Sequence, residues 1–164
     1  MKALDHPRAR RILELCAAEV QATVVYPDSA APAALDAALT VLASVPALGV
    51  LARALSERRD RVSVTVPTPL GTVIVLSAHA VSTPETTLAV GAHELAHAYQ
   101  IQARGGWGTA VDYLGSAELR ARAEGEAEGA ELAVRYVLTG ALPPEAEADD
   151  LVDQPTYHLD ESER

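Results

Sequence analysis

Two strong punctuation marks bracket residues 83 to 106 and dictate a long helix between them. Thr83-Pro84-Glu85 supplies an N-cap hydroxyl, a proline where its missing N–H costs nothing, and an acid facing the positive end of the helix dipole. Gly105-Gly106 supplies residues that accept the left-handed conformation in which helices end. Between them stands His93-Glu94-Leu95-Ala96-His97. Residues four apart share one helix face, so both imidazoles can reach a single metal ion at about 2.0–2.1 Å. Glu94, next to the first histidine, projects toward the position the protein ligands leave open, where a carboxylate can take a proton from water. The flanks Val90-Gly91-Ala92 and Ala98-Tyr99 carry neither charge nor proline, so the motif sits in the helical context it requires.

Three protein ligands and an open position define a catalytic zinc site, so a third ligand is needed. The next helical stretch, ending near Thr139-Gly140, offers Glu118, Glu124, Glu126, Glu128 and Glu131. At about 100° per residue, Leu119, Ala123, Ala127, Ala130, Val134 and Val137 fall on one face. Glu126 lies within that face, whereas Glu124, Glu128 and Glu131 gather with Arg120 and Arg135. A carboxylate in an apolar stripe is costly unless it is paired or binds metal. Glu126 is therefore the favoured ligand. Glu124 stands second, because an irregularity at Gly125 would rotate the register. Gly125 and Gly129 are expected to let the two helices pack closely.

The uncharged flanks, the HExxH helix and a glutamate on the following helix resemble the gluzincin branch of the zincin metallopeptidases. The compact layout looks like its minimal members, the ImmA/IrrE-like peptidases and the minigluzincins. Glu124-Gly125-Glu126-Ala127-Glu128 is similar to their Glu-x-Glu-Ala-Asn stretch, which maps the third ligand onto Glu126, with Glu128 standing where the pattern has Asn. The metzincin third histidine is absent. The resemblance covers about residues 60 to 140. It implies Zn²⁺ as cofactor and hydrolysis of peptide bonds, with a peptide or protein as substrate.

The rest of the chain fits around this centre. Residues 7 to 22 read as a helix capped by Asp5, with Ile12, Leu15, Cys16 and Val20 on one face, and Cys16 is expected as a buried thiol. Residues 23–26 read as a short strand, and residues 32–43 and 47–59 as two further helices. Val62-Ser63-Val64-Thr65-Val66 alternates with period two, and Thr72-Val73-Ile74-Val75-Leu76 is a β-branched run. The turn Pro67-Thr68-Pro69-Leu70-Gly71 joins them as a hairpin whose exposed edge suits an extended substrate. Thr109 and Asp112 look like a capping pair for the next helix, with a break near Gly115-Ser116. An oxyanion needs a donor, and Tyr113, His79 and the Tyr157-His158 pair are the candidates. Asp112 could also orient a ligand histidine, and His6 is assigned to the surface.

The expected fold is α+β and zincin-like: N-terminal helices, a small mainly antiparallel sheet, the HExxH helix and a following glutamate helix. One domain over residues 1–144 is expected, with a helical part over 1–60. An acidic tail follows over 145–164. Within 164 residues the formal charge is -10, from 23 acidic against 13 basic residues, which argues against nucleic acid and anionic membranes as partners. Hydrophobic residues make up 49% of the chain with no Phe, so alanine-lined helix contacts and a Leu/Val core are expected. The apolar stretch Ala33 to Ala52 is interrupted by Asp36, Ser44, Pro46 and Gly49, which disfavours a membrane span. No signal-peptide pattern opens the chain, and a single cysteine marks no oxidising compartment, so the expected location is cytoplasmic. The functional expectation is a zinc metallopeptidase with Glu94 as general base. The alternative is a non-catalytic metal-binding or regulatory interaction protein that retains the site. Oligomeric state is not legible.

Overall fold

The structure, a computed structural model, describes residues 4–29, 63–69 and 71–141, with the backbone alone of Trp107, Ala110 and Leu114. The expected helices at 32–43 and 47–59, the acidic tail and Tyr157-His158 lie outside the described residues.

The described chain is α+β, with four helices and a three-stranded mixed sheet. In order these are α1 (His6–Glu19), β1 (Ala22–Val25), β2 (Val64–Thr68), β3 (Gly71–Val75), α2 (Pro84–Arg104), α3 (Trp107–Gly115) and α4 (Ala117–Thr139). Local chemistry sets most of the boundaries. Asp5 accepts from the Arg8 amide at 2.9 Å and starts α1. Thr83 accepts from the Thr86 amide at 3.0 Å and starts α2, which ends where Gly105 adopts φ 93°. Ser116 accepts from the Leu119 amide at 3.2 Å and separates α3 from α4. Thr109 caps nothing. The helix begins two residues earlier at Trp107, and the Thr109 hydroxyl is buried without a partner among the described residues.

The sheet order is β1-β3-β2. β2 and β3 form the expected antiparallel hairpin, with Thr65 opposite Ile74. β1 pairs parallel to β3, Val24 opposite Ile74, so the sheet is mixed rather than mainly antiparallel. β3 is flanked on both sides and carries the most buried strand residues, as its β-branched run predicts: Ile74 is fully buried. Leu13, Tyr26, Ile74, Leu76, Ala80 and Ala98 form the core. Alanines line the helix contacts, with Ala9 and Ala17 of α1, Ala89 and Ala98 of α2, and Ala123 and Ala127 of α4 all buried.

Two expectations about faces are corrected here. The buried face of α1 is Ala9, Leu13 and Ala17, and Cys16 is exposed, as are Ile12 and Leu15. The sequence wheel followed the stripe of Ile12, Leu15, Cys16 and Val20, whereas the packed face sets one leucine between two alanines. The glycine that permits this approach lies on α2. A Cβ on Gly91 would stand 2.7 and 2.8 Å from the Leu13 methyl carbons. Gly125 and Gly129 meet only open space. Leu13 is itself buried and has little room to yield. Gly91→Val is therefore expected to cost about 1–3 kcal/mol, read as a lowered urea midpoint at unchanged slope.

Candidate metal centre

The site lies where α2 crosses α4, the most extensive helix pairing among the described residues. The i,i+4 spacing places His93 and His97 one turn apart on α2, both turned toward α4. Their Nε2 atoms are 3.2 Å apart. Glu124 Oε2 stands 3.3 Å from His93 Nε2 and 3.4 Å from His97 Nε2. Among the described residues, His93, His97 and Glu124 are the group whose donor atoms could share one metal ion. Glu126 is outside it. Its side chain is 45% exposed, and its carboxylate accepts from Arg122 and Gln100.

The favoured register on α4 is thus corrected. The buried stripe runs Ala123, Glu124, Ala127 and, two turns on from Glu124, the largely buried Glu131. This is regular helical spacing. The α4 helix is continuous through Gly125, so no kink is involved. The error lay in letting Leu119, Val134 and Val137 define the inward face: Leu119 is exposed, and Val137 is 81% exposed. An inward stripe made only of alanines and glutamates has no hydrophobic signature to follow. Glu118 is exposed in the first turn, and Glu128 is half-buried beside this stripe.

The remaining candidates divide. Tyr113, on α3, reaches the site: its hydroxyl donates to Glu124 Oε1, while Oε2 is the oxygen paired with the histidines. Its ring meets that of His97 edge-on, centroids 6.2 Å apart. His79 is exposed in the turn before α2, where its carbonyl accepts from the Ser82 amide. Asp112 and His6 are exposed.

Glu94 is 4% exposed. Thr65, on β2, donates to its Oε2 at 2.7 Å and stands 3.0 Å from its backbone carbonyl. Three contacts escaped sequence reasoning: Thr65 to Glu94, Glu131 to His93 Nδ1 at 3.5 Å, and Gln100 to His97 Nδ1 at 3.0 Å. Gln100 was within reach of helical spacing, three residues past His97. Thr65 and Glu131 were not, because tertiary packing brings them in.

Electrostatics follow from this crowding. Burial works against the imidazolium of His93, but hydrogen bonds to Glu124 and Glu131 prevail and push its pKa from 6.5 up to about 10. His97 is raised in the same way, its burial outweighed by Glu124. Burial opposes the charge on Glu124, yet bonds from both histidines hold its carboxyl well below the usual range. Burial pushes Glu94 up, against the pull of His97 and the Thr65 hydrogen bond.

No family model, no curated protein and no solved structure matches this chain. The chemistry of the site rests on its donors. Ligands held about 2.0–2.1 Å from a tetrahedral zinc stand about 3.3–3.4 Å from one another. The triangle formed by the two Nε2 atoms and Oε2 has sides of 3.2, 3.3 and 3.4 Å. Two imidazoles and one carboxylate at that spacing fit one face of a zinc tetrahedron, with the fourth corner left for a small ligand.

The raised histidine gives a pH signature. Stability from His93 in the metal-free chain is fully present below its unfolded value of 6.5 and is lost as pH rises through about 10. The thermal midpoint measured in chelator is therefore expected to fall between those limits. Were a metal ion held by these donors the sign would reverse, because a metal ligand must be deprotonated and binding strengthens as protons leave. A chelator-treated midpoint that rises with pH would contradict the pairing of His93 with the two carboxylates.

Among the described residues, no helix is long and apolar enough to cross a membrane.

Proposed function

We propose that the protein is a zinc-dependent hydrolase, most simply a metallopeptidase, with His93, His97 and Glu124 as metal ligands and Glu94 as general base. The observation that carries this reading is the three-donor triangle, whose sides match one face of a zinc tetrahedron. A zinc ion held there supplies Lewis acidity toward water and toward a carbonyl oxygen. Glu94 takes the proton from the attacking water and passes it to the departing amine, so that water adds across the C–N bond. Thr65 holds the Glu94 carboxylate from the sheet side. Tyr113 binds Glu124 Oε1, while Oε2 meets the histidines, and so helps fix the ligand's rotamer; in this reading it positions the ligand rather than serving as the oxyanion donor. A carboxylate next to a ligand histidine is not needed to retain zinc, and this favours catalysis over metal storage. The resemblance to minimal gluzincins supports peptide bonds as the substrate class. The test is hydrolysis of casein and of a peptide library by the chain with added Zn²⁺, compared with Glu94→Gln.

A further inference from the structure

Both ligand histidines expose Nδ1 away from the donor triangle, and the two nitrogens meet different partners. His93 Nδ1 faces the Glu131 carboxylate, itself paired with Arg135. His97 Nδ1 lies 3.0 Å from Gln100 Oε1. Gln100 is 5% exposed, and its amide orientation is over-determined. Nε2 lies 3.0 Å from the Ala123 carbonyl oxygen and 2.9 Å from Glu126 Oε2. Both are acceptors, so the NH₂ group must face them, and flipping the amide would set oxygen against oxygen. Oε1 must therefore face His97. A carbonyl oxygen only accepts, so His97 Nδ1 carries a proton whether the ring is charged or neutral, and Nε2 is the nitrogen left to face the triangle and, once deprotonated, to offer its lone pair to a metal.

We propose that Gln100 is a positioning residue that fixes the ring and tautomer of His97 for metal binding, and that Glu126 anchors it from the protein surface. The inference rests on the metal-centre reading above. It gives Glu126 a place outside the ligand set: Arg122 holds one of its oxygens and Gln100 donates to the other. The chain Glu126–Gln100–His97 ties α4 to α2 beside the triangle, as the pairing of Glu131 with His93 does on the other histidine. Partners that orient a ligand histidine typically contribute about 10–100-fold in metal affinity.

The test measures zinc affinity by competition with a chromophoric chelator for three chains: wild type, Gln100→Met, and the double variant Gln100→Glu/Glu126→Gln. Methionine fills similar volume but accepts nothing useful from His97, so zinc binding should weaken by about 10–100-fold. The double variant exchanges donor and acceptor across the Gln100–Glu126 pair. It restores an oxygen for His97, and affinity should stay within about threefold of wild type. Both variants lose the donor to Ala123 O, so a purely structural role predicts equal losses in the two. Equal losses, or no loss in Gln100→Met, would overturn the positioning role. Wild type without one tight zinc would overturn the metal centre and the relay with it. A readout independent of folding is the nitrogen spectrum of zinc-loaded wild type. His97 should show metal at Nε2 and a protected proton on Nδ1, and metal at Nδ1 overturns the assignment whatever the variants do.

Discussion

Glu124→Ala is expected to abolish tight zinc binding, while Glu126→Ala leaves it within a few-fold of wild type. The two carboxylates are two residues apart on α4, about 200° around the helix, so only one can face the two histidines. Glu124 is 9% exposed with its Oε2 facing both imidazoles, whereas Glu126 lies at the surface between Arg122 and Gln100. Removing Glu124 takes away one of the three proposed ligands and leaves His93 and His97 facing each other without the carboxylate that balances them. Removing Glu126 leaves Gln100 still donating to Ala123 O, so His97 stays oriented. Histidine variants bracket the result, since His93→Ala and His97→Ala should lose zinc as completely as Glu124→Ala. Metal content by mass spectrometry on protein purified without chelator makes the measurement. Zinc retained by Glu124→Ala and lost by Glu126→Ala would reverse the ligand assignment.

Glu94→Gln is expected to keep zinc and fold yet lose hydrolysis by a factor of roughly 10² or more, as for a missing general base. The substitution is nearly isosteric, and the glutamine oxygen can still accept the Thr65 hydrogen bond. A buried carboxylate exchanged for an amide also removes a group whose charge burial opposes. The metal-free chain should therefore be no less stable than wild type at neutral pH. This separates loss of chemistry from loss of structure. Undiminished turnover in Glu94→Gln would mean that the activity does not pass through this carboxylate. Unchanged zinc content with no turnover in either protein would favour a metal-binding module without catalysis.

What the sequence determined was whatever depends on near neighbours along the chain. The caps at Asp5 and Thr83, the glycine stop at Gly105, the β2–β3 hairpin and the facing of His93 and His97 all follow from separations of a few residues, where backbone geometry leaves one outcome. The presence of an acid-rich helix beyond the motif was legible for the same reason. What tertiary structure decided was which side of that helix turns inward. Hydrophobic pattern reports a buried face only when large apolar residues fill it. Here α4 presents Ala123, Glu124, Ala127 and Glu131 to the site, while Val137 and Tyr136 stay exposed. The parallel pairing of β1 with β3, the reach of Thr65 to Glu94 and the grip of Glu131 on His93 likewise join residues distant in sequence. Such contacts arise only when the helices and sheet close on one another, because carboxylates that would be costly alone in the interior become stable once histidines lie opposite them.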